Sequence, residues 1–205
     1  GDCACALDDM AGIVYGFYPY WNNKTTPQTM NFHVLNRVAY YGLTVDNVGE
    51  LHLGARPFDI RNGSTAENQF IRVARQYNSK VDWMIQKNDW NGDWRKYSRE
   101  NKQAVFKKLL TNITTLLRAP LTDPASRLKP YASFGMGTQP TRGDGVTLYF
   151  QNYPQDADSA LLFNEFYLAL RKELAKENHW INILVSQEVF TGAKETKQSA
   201  FGLPN

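Results

Sequence analysis

The chain has 205 residues, 42% hydrophobic and 21% charged, enough apolar material for one substantial core and one domain spanning the whole chain. Its formal net charge of +3 is small, and the basic residues are interleaved with acids, as in Arg95 and Lys96 near Glu100, so no nucleic-acid partner is expected. No uninterrupted apolar run approaches the roughly 20 residues of a membrane helix, so no transmembrane segment is expected either.

Residues 1–10 read as a flexible segment. It carries Cys3 and Cys5. A disulfide across one intervening residue would be strained and two thiols do not complete a metal site, so exposed terminal thiols are the first reading, with a lipid-anchored or disulfide-linked terminus left open. Residues 13–21 form a first apolar and aromatic run. Residues 35–51 form a second, with Val38 to Leu43 as its strand and a turn through Asp46, Asn47 and Gly49. A helix is expected over 66–77, then a strand over 81–90. Residues 101–118 carry Val105, Leu109, Leu110, Ile113, Leu116 and Leu117 at helical spacing, and Pro120 and Pro124 end that helix. Residues 119–143 read as a long loop or insertion, with 126–143 a short strand or loop that leads into the next strand and could form part of a site rim. In residues 143–154, Val146, Leu148 and Phe150 alternate with Thr147, Tyr149 and Gln151, which sends the two sets to opposite faces of a strand. A helix over 160–177 and a strand over 180–186 follow. Strand and helix alternate throughout, which predicts an α/β fold with a parallel sheet whose strands are buried on both faces.

The segment Asp144-Gly145-Val146-Thr147-Leu148-Tyr149-Phe150-Gln151, followed by Tyr153-Pro154, resembles the fourth-strand motif of the family 18 glycoside hydrolases, the chitinase-like enzymes. That family reads Asp-Gly-x-Asp-x-Asp-x-Glu, often with Tyr-Pro close behind. Asp144, Gly145, Tyr153 and Pro154 match. Thr147, Tyr149 and Gln151 stand where the family has its second Asp, its third Asp and its catalytic Glu. Residues 13–21, with Tyr18-Pro19-Tyr20-Trp21, are similar to the family's first strand, and Val38-Ala39-Tyr40-Tyr41-Gly42-Leu43 to its second.

The resemblance implies a TIM-barrel-like (β/α) parallel barrel, but about five of eight strands are recognisable, and a closed barrel needs roughly 250 residues. A piece of a longer protein, a partial barrel closed by oligomerisation and a reduced fold are the alternatives. Gly1 before Asp2, with no initiator Met, favours the first. In the family, the Glu protonates the glycosidic oxygen and the neighbouring Asp holds the substrate's 2-acetamido group as nucleophile. An amide has no acidic proton near neutral pH, so Gln151 cannot take that role.

The expectation is therefore a catalytically inactive chitinase-like domain, a glycan-binding or structural module, with no catalytic set intact at Asp144, Thr147, Tyr149 and Gln151. Tyr18, Trp21, Trp90, Tyr149, Gln151 and Tyr153 are the expected substrate-binding residues, because strand ends converge on one face of a parallel barrel. Phe17, Trp83 and Phe150 are expected to pack against helices. The alternative is a glycoside hydrolase that recruits Glu188 or Asp89, or one completed by a missing C-terminal part. Partners would be an oligosaccharide or polysaccharide and the remainder of a larger protein. An exported, surface-facing location follows by analogy with polysaccharide-binding proteins. His33, His52 and His179 are scattered, and Gly135-Met136-Gly137 lacks the Gly or Lys of a phosphate loop, so neither metal nor cofactor is expected.

Overall fold

The computed structural model describes residues 13–21, 30, 32–121 and 140–185. The sequence readings for Cys3, Cys5, Glu188 and most of the 126–143 segment lie outside them. Strands β1 (Tyr15–Pro19), β2 (Arg37–Val45), β5 (Lys80–Lys87), β6 (Gly145–Phe150) and β7 (Trp180–Leu184) lie side by side in that order, each pair parallel. Two short strands, β3 (Leu51–Leu53) and β4 (Arg56–Pro57), run antiparallel off the C-terminal end of β2. Helices α1 (Thr65–Gln76), α2 (Asp93–Lys96), α3 (Arg99–Arg118) and α4 (Ala157–Ala175) fill the crossovers. The sheet of the described residues is open, and no helix among them is long and apolar enough to cross a membrane.

The helix ends follow from their sequences. Ser64 and Glu67 form a reciprocal capping box on α1, Ser98 caps α3, and Asp156 caps α4. Two helices end alike. Asn78 and Asn178 take positive φ (59° and 56°), and the N–H groups of Ser79 and His179 reach back to Ala74 and Leu174. Asn tolerates this left-handed conformation, and in both places the chain turns directly into a parallel strand.

Alternation along the strands splits the sheet into two faces. Val38, Tyr40, Val81, Trp83, Ile85, Val146, Leu148 and Phe150 join the apolar faces of α1, α3 and α4 in the core. Phe106 of α3 stacks on Phe166 of α4 with centroids 4.6 Å apart, and both lie over Phe150. Trp83 is fully buried and donates from Nε1 to the Arg142 carbonyl at 3.1 Å. Phe150 and Trp83 thus pack under the helices. Phe17 does not: it pairs in register with Ala39 on the opposite face and is 47% exposed, because the parity of β1 gives the helix side to Tyr18.

That opposite, inner face carries a polar cluster that ties four strands together. Asp82 of β5 is fully buried. Arg37 of β2 grips it with two hydrogen bonds, Nε to Oδ2 at 2.9 Å and Nη2 to Oδ1 at 2.5 Å. The Tyr15 hydroxyl of β1 donates to Oδ2 at 3.1 Å and lies 2.5 Å from Thr147 Oγ1 of β6. A phenol has one proton, so with that proton on Asp82 the short contact is a donation from Thr147 to the phenol oxygen. Burial, reinforced by the Asp82 charge, raises the Tyr15 pKa far above its ordinary value. Burial works against the Arg37 charge, but its hydrogen bonds and attraction to Asp82 outweigh this and raise its pKa.

Breaking a buried ion pair by removing one partner strands the other. Asp82→Asn is expected to destabilise the fold by about 3–5 kcal/mol in urea unfolding, whereas the double replacement Arg37→Met with Asp82→Leu loses much less; equal losses would show that the pair is not the linchpin. Gly42 is a second sensitive point. It sits at a register shift in β2 with φ of 145°, and a Cβ there would lie 2.3 Å from Tyr20 Cδ1. Gly42→Ala should cost about 1–3 kcal/mol, and an unchanged melting temperature would refute that.

Candidate functional site

The motif strand places its four marked residues at three levels. Asp144 stands at the start of β6, where it acts as a clamp. Its Oδ2 accepts from the Val81 N–H at 2.9 Å, its own N–H donates to the Val81 carbonyl at 2.7 Å, and Arg75 and Lys80 lie 3.5 and 3.9 Å from its carboxylate. Thr147 lies in the middle of the strand, fully buried against Tyr15. Tyr149 and Gln151 lie at the C-terminal end, half-buried, with Gln151 Nε2 donating to the Tyr149 hydroxyl at 2.6 Å. The Gln151 backbone is pinned on both sides. Its N–H donates to the Lys87 carbonyl and its carbonyl accepts from Trp90 Nε1, both at 2.9 Å.

In a parallel sheet this C-terminal edge is where strand ends and their loops meet. Trp21, just beyond β1, is 48% exposed and meets Tyr41 of β2 edge-on at 5.5 Å. Gln86 pairs with Tyr149 in the β5–β6 register. Gln86, Tyr149 and Gln151 therefore share the C-terminal rim of β5 and β6, while Trp21 rests on Tyr41, which stands level with Met84 and Thr147 on the same face. Tyr41 and Gln86 escape sequence reasoning. Their only signal is parity, since Tyr40 and Tyr41 are adjacent and must take opposite faces.

Three expected rim residues are corrected to core residues. Tyr18 stacks on Phe70 of α1 at 4.4 Å because its register with Tyr40 puts it on the helix side. Trp90 is buried among Trp94, Phe150 and Tyr153. Tyr153 is buried too and donates to the Ser159 carbonyl at 2.8 Å, and burial pushes its phenol pKa upward. Both follow strand ends, but the chain there folds back over the helix-side core, so position after a strand does not bring these rings to the mouth.

Carboxylates are sparse near the rim. Asp89 is exposed beyond β5, where its Oδ1 accepts the Asn91 N–H at 3.1 Å, and it lines a shallow cavity of about 280 Å³ with Lys87 and Asp46. Burial lowers the Lys87 pKa, and its ammonium donates to Asn47 Oδ1 at 2.7 Å. Asp46 is spent on the N–H groups of Val48 and Glu50 and on His52 at 3.0 Å. Among the described residues, no three or more His, Cys, Asp or Glu side chains are grouped to hold a metal ion.

No protein-family model and no curated protein matches the sequence. Solved structures do share its fold. One is the C-terminal domain of a Desulfitobacterium hafniense DCB-2 protein described as a chitinase, at 15% identity and a TM-score of 0.54, covering 83% of this chain and 45% of that one. Another is a family 18 chitinase mutant from Cycas revoluta in complex with (GlcNAc)4, at 14% identity and a TM-score of 0.52, covering 85% of this chain and 46% of that one. The chain thus spans under half the length of these chitinases. The described residues have the chitinase-like fold of the family 18 barrels, carried here as an open, parallel-rich sheet.

Proposed function

We propose that this chitinase-like domain binds a glycan without hydrolysing it. The observation that carries the reading is Gln151, an amide tied to the Tyr149 hydroxyl at the position where the fold's catalytic motif places a general acid. A carboxamide has no proton to give a leaving glycosidic oxygen. Among the described residues, the neighbouring acids do not replace it. Asp82 is buried and satisfied by Arg37 and Tyr15, Asp144 is clamped at the opposite end of β6, and Asp89 sits in an exposed turn.

Binding is supported by the rim. Trp21 offers an exposed ring beside Tyr41, and the Tyr149–Gln151 pair supplies polar groups at the end of β6, a combination suited to the apolar face and hydroxyls of a pyranose. The Cycas revoluta relative holds (GlcNAc)4, which makes an N-acetylglucosamine oligomer the first ligand to try. A domain with this task would work where polysaccharide is met, outside the cytoplasm.

A second reading, a structural module seated against the remainder of a larger protein, is favoured by one observation. Phe17 and Trp180, on the first and last of the parallel strands, are 47% and 43% exposed. Large apolar side chains on an open sheet suit a covering partner.

Calorimetric titration with chitotetraose, together with a product assay, separates these readings. Wild type is expected to bind saturably without releasing product. Trp21→Ala should weaken binding about tenfold, the ~1.4 kcal/mol reasonable for one lost ring face. Gln151→Glu should still release nothing, because Thr147 and Tyr149 leave the rest of the motif unfilled. Product from wild type would overturn the inactive assignment; no heat from wild type would favour the structural module.

A further inference from the structure

A second cavity, of about 490 Å³, opens on the same edge of the sheet but on its helix side, away from the rim. It lies between the segment that follows β5, the start of α3 and the start of α4. Trp90, Trp94 and Leu162 give it apolar walls, while Arg95, Arg99 and Lys102 supply cations. Volumes of this size hold one or two sugar rings or a small cofactor-sized molecule.

The unusual group here is Trp94. It is 1% exposed, it lines the cavity, and its indole Nε1–H has no acceptor among the described residues. A buried donor without an acceptor is costly, so an acceptor supplied by a bound molecule or by water would relieve it. The charges nearby are unequal in their commitments. Both Asp156 oxygens are taken by the Ser159 N–H and hydroxyl, at 2.9 and 2.8 Å, with Lys102 lending its field to that carboxylate. Arg99 is held by Glu165 at 2.8 Å, with Asp158 4.0 Å away. Arg95 has no partner among the described residues, and Lys102 rests over the Trp94 ring at 5.8 Å. Arg95 and Lys102, the latter shared with the Trp94 ring and the Asp156 field, thus border a cavity that Trp94, with its unsatisfied donor, helps to line. The first turn of α3, a 20-residue helix, adds its own partial positive charge at Arg99.

We propose that this cavity is a second ligand site, for a pyranose that carries a negative charge, a uronate carboxylate or a sugar sulfate. The anionic group would meet Arg95 and Lys102, and a ring or carboxylate oxygen would accept from Trp94 Nε1. Neutral N-acetylglucosamine lacks the first of these interactions. The site is independent of the rim, because none of Trp21, Tyr41, Tyr149 or Gln151 lines it.

The test is a titration of the ¹⁵N-labelled chain with glucuronate, N-acetylglucosamine 6-sulfate, N-acetylglucosamine and inorganic sulfate, read at the indole N–H resonances and by calorimetry. Trp94→Phe identifies its resonance by loss and keeps most of the ring volume. The expected result is a saturable shift of the Trp94 resonance with one or both anionic sugars, weakened at least fivefold by Arg95→Gln and by Lys102→Gln and reduced by salt. Which anionic sugar binds tells carboxylate from sulfate. Trp21→Ala should leave this binding intact whatever it does at the rim. Equal binding of the neutral sugar, no movement of the Trp94 resonance, or an identical response to inorganic sulfate, meaning an adventitious ion only, would each overturn the proposal.

Discussion

The Arg37–Asp82 ion pair governs the inner face of this sheet. A carboxylate with no exposed surface in the middle of β5 persists only if other groups satisfy it, and three donors from β2 and β1 do so. Its consequences reach the motif strand. Thr147 is hydrogen-bonded to the same Tyr15 hydroxyl that serves Asp82. An Asp at 147 would set a second carboxylate against that hydroxyl, and two acids so close cannot both stay ionised. The negative charge of this cluster is carried by β5, and Thr147 sits beside it as a neutral donor.

The same cluster accounts for the part of the motif that matches. A Cβ at Gly145 would lie 2.6 Å from both Asp82 Oδ1 and the Trp180 carbonyl, so the close passage of β5 and β7 demands glycine. Asp144 pins the start of β6 to Val81 through its side chain and backbone, and its carbonyl accepts the Trp180 N–H at 2.9 Å. Tyr153 fills the core. Asp-Gly and Tyr therefore hold the strand in place, and the three departures fall at positions that face the interior and the rim. The residues that build the strand are thus separate from the positions at which a motif of this kind carries its acids.

The elements with a strong period were legible. The helix expected over 101–118 is observed as Arg99–Arg118, and the alternation of β6 gave the correct face for every residue from Val146 to Phe150. The β3–β4 hairpin and α2 were not foreseen, because stretches of two to four residues carry no full period. Within the site, sequence marked Trp21, Tyr149 and Gln151 but passed over Arg37, Asp82 and Tyr15. Arg37 and Asp82 lie 45 positions apart and only register brings them together. Trp90 and Tyr153 misled for the opposite reason: aromatic residues after a strand suit a cleft, yet burying such large rings in the core is the greater gain.

Trp90 also explains how two differently charged regions can share one edge of the sheet. Its ring forms a wall of the cationic cavity, while its indole N–H holds the Gln151 carbonyl at 2.9 Å and so helps set the rim. Nearly all of its surface is spent on this partition, against Trp94, Phe150 and Tyr153. Removing it would leave a large void and free Gln151 at once, so its loss would say nothing specific about either region. Trp21 and Arg95 differ in kind. Each is exposed and borders one region alone, which makes them the positions at which the neutral rim and the cationic cavity can be addressed separately.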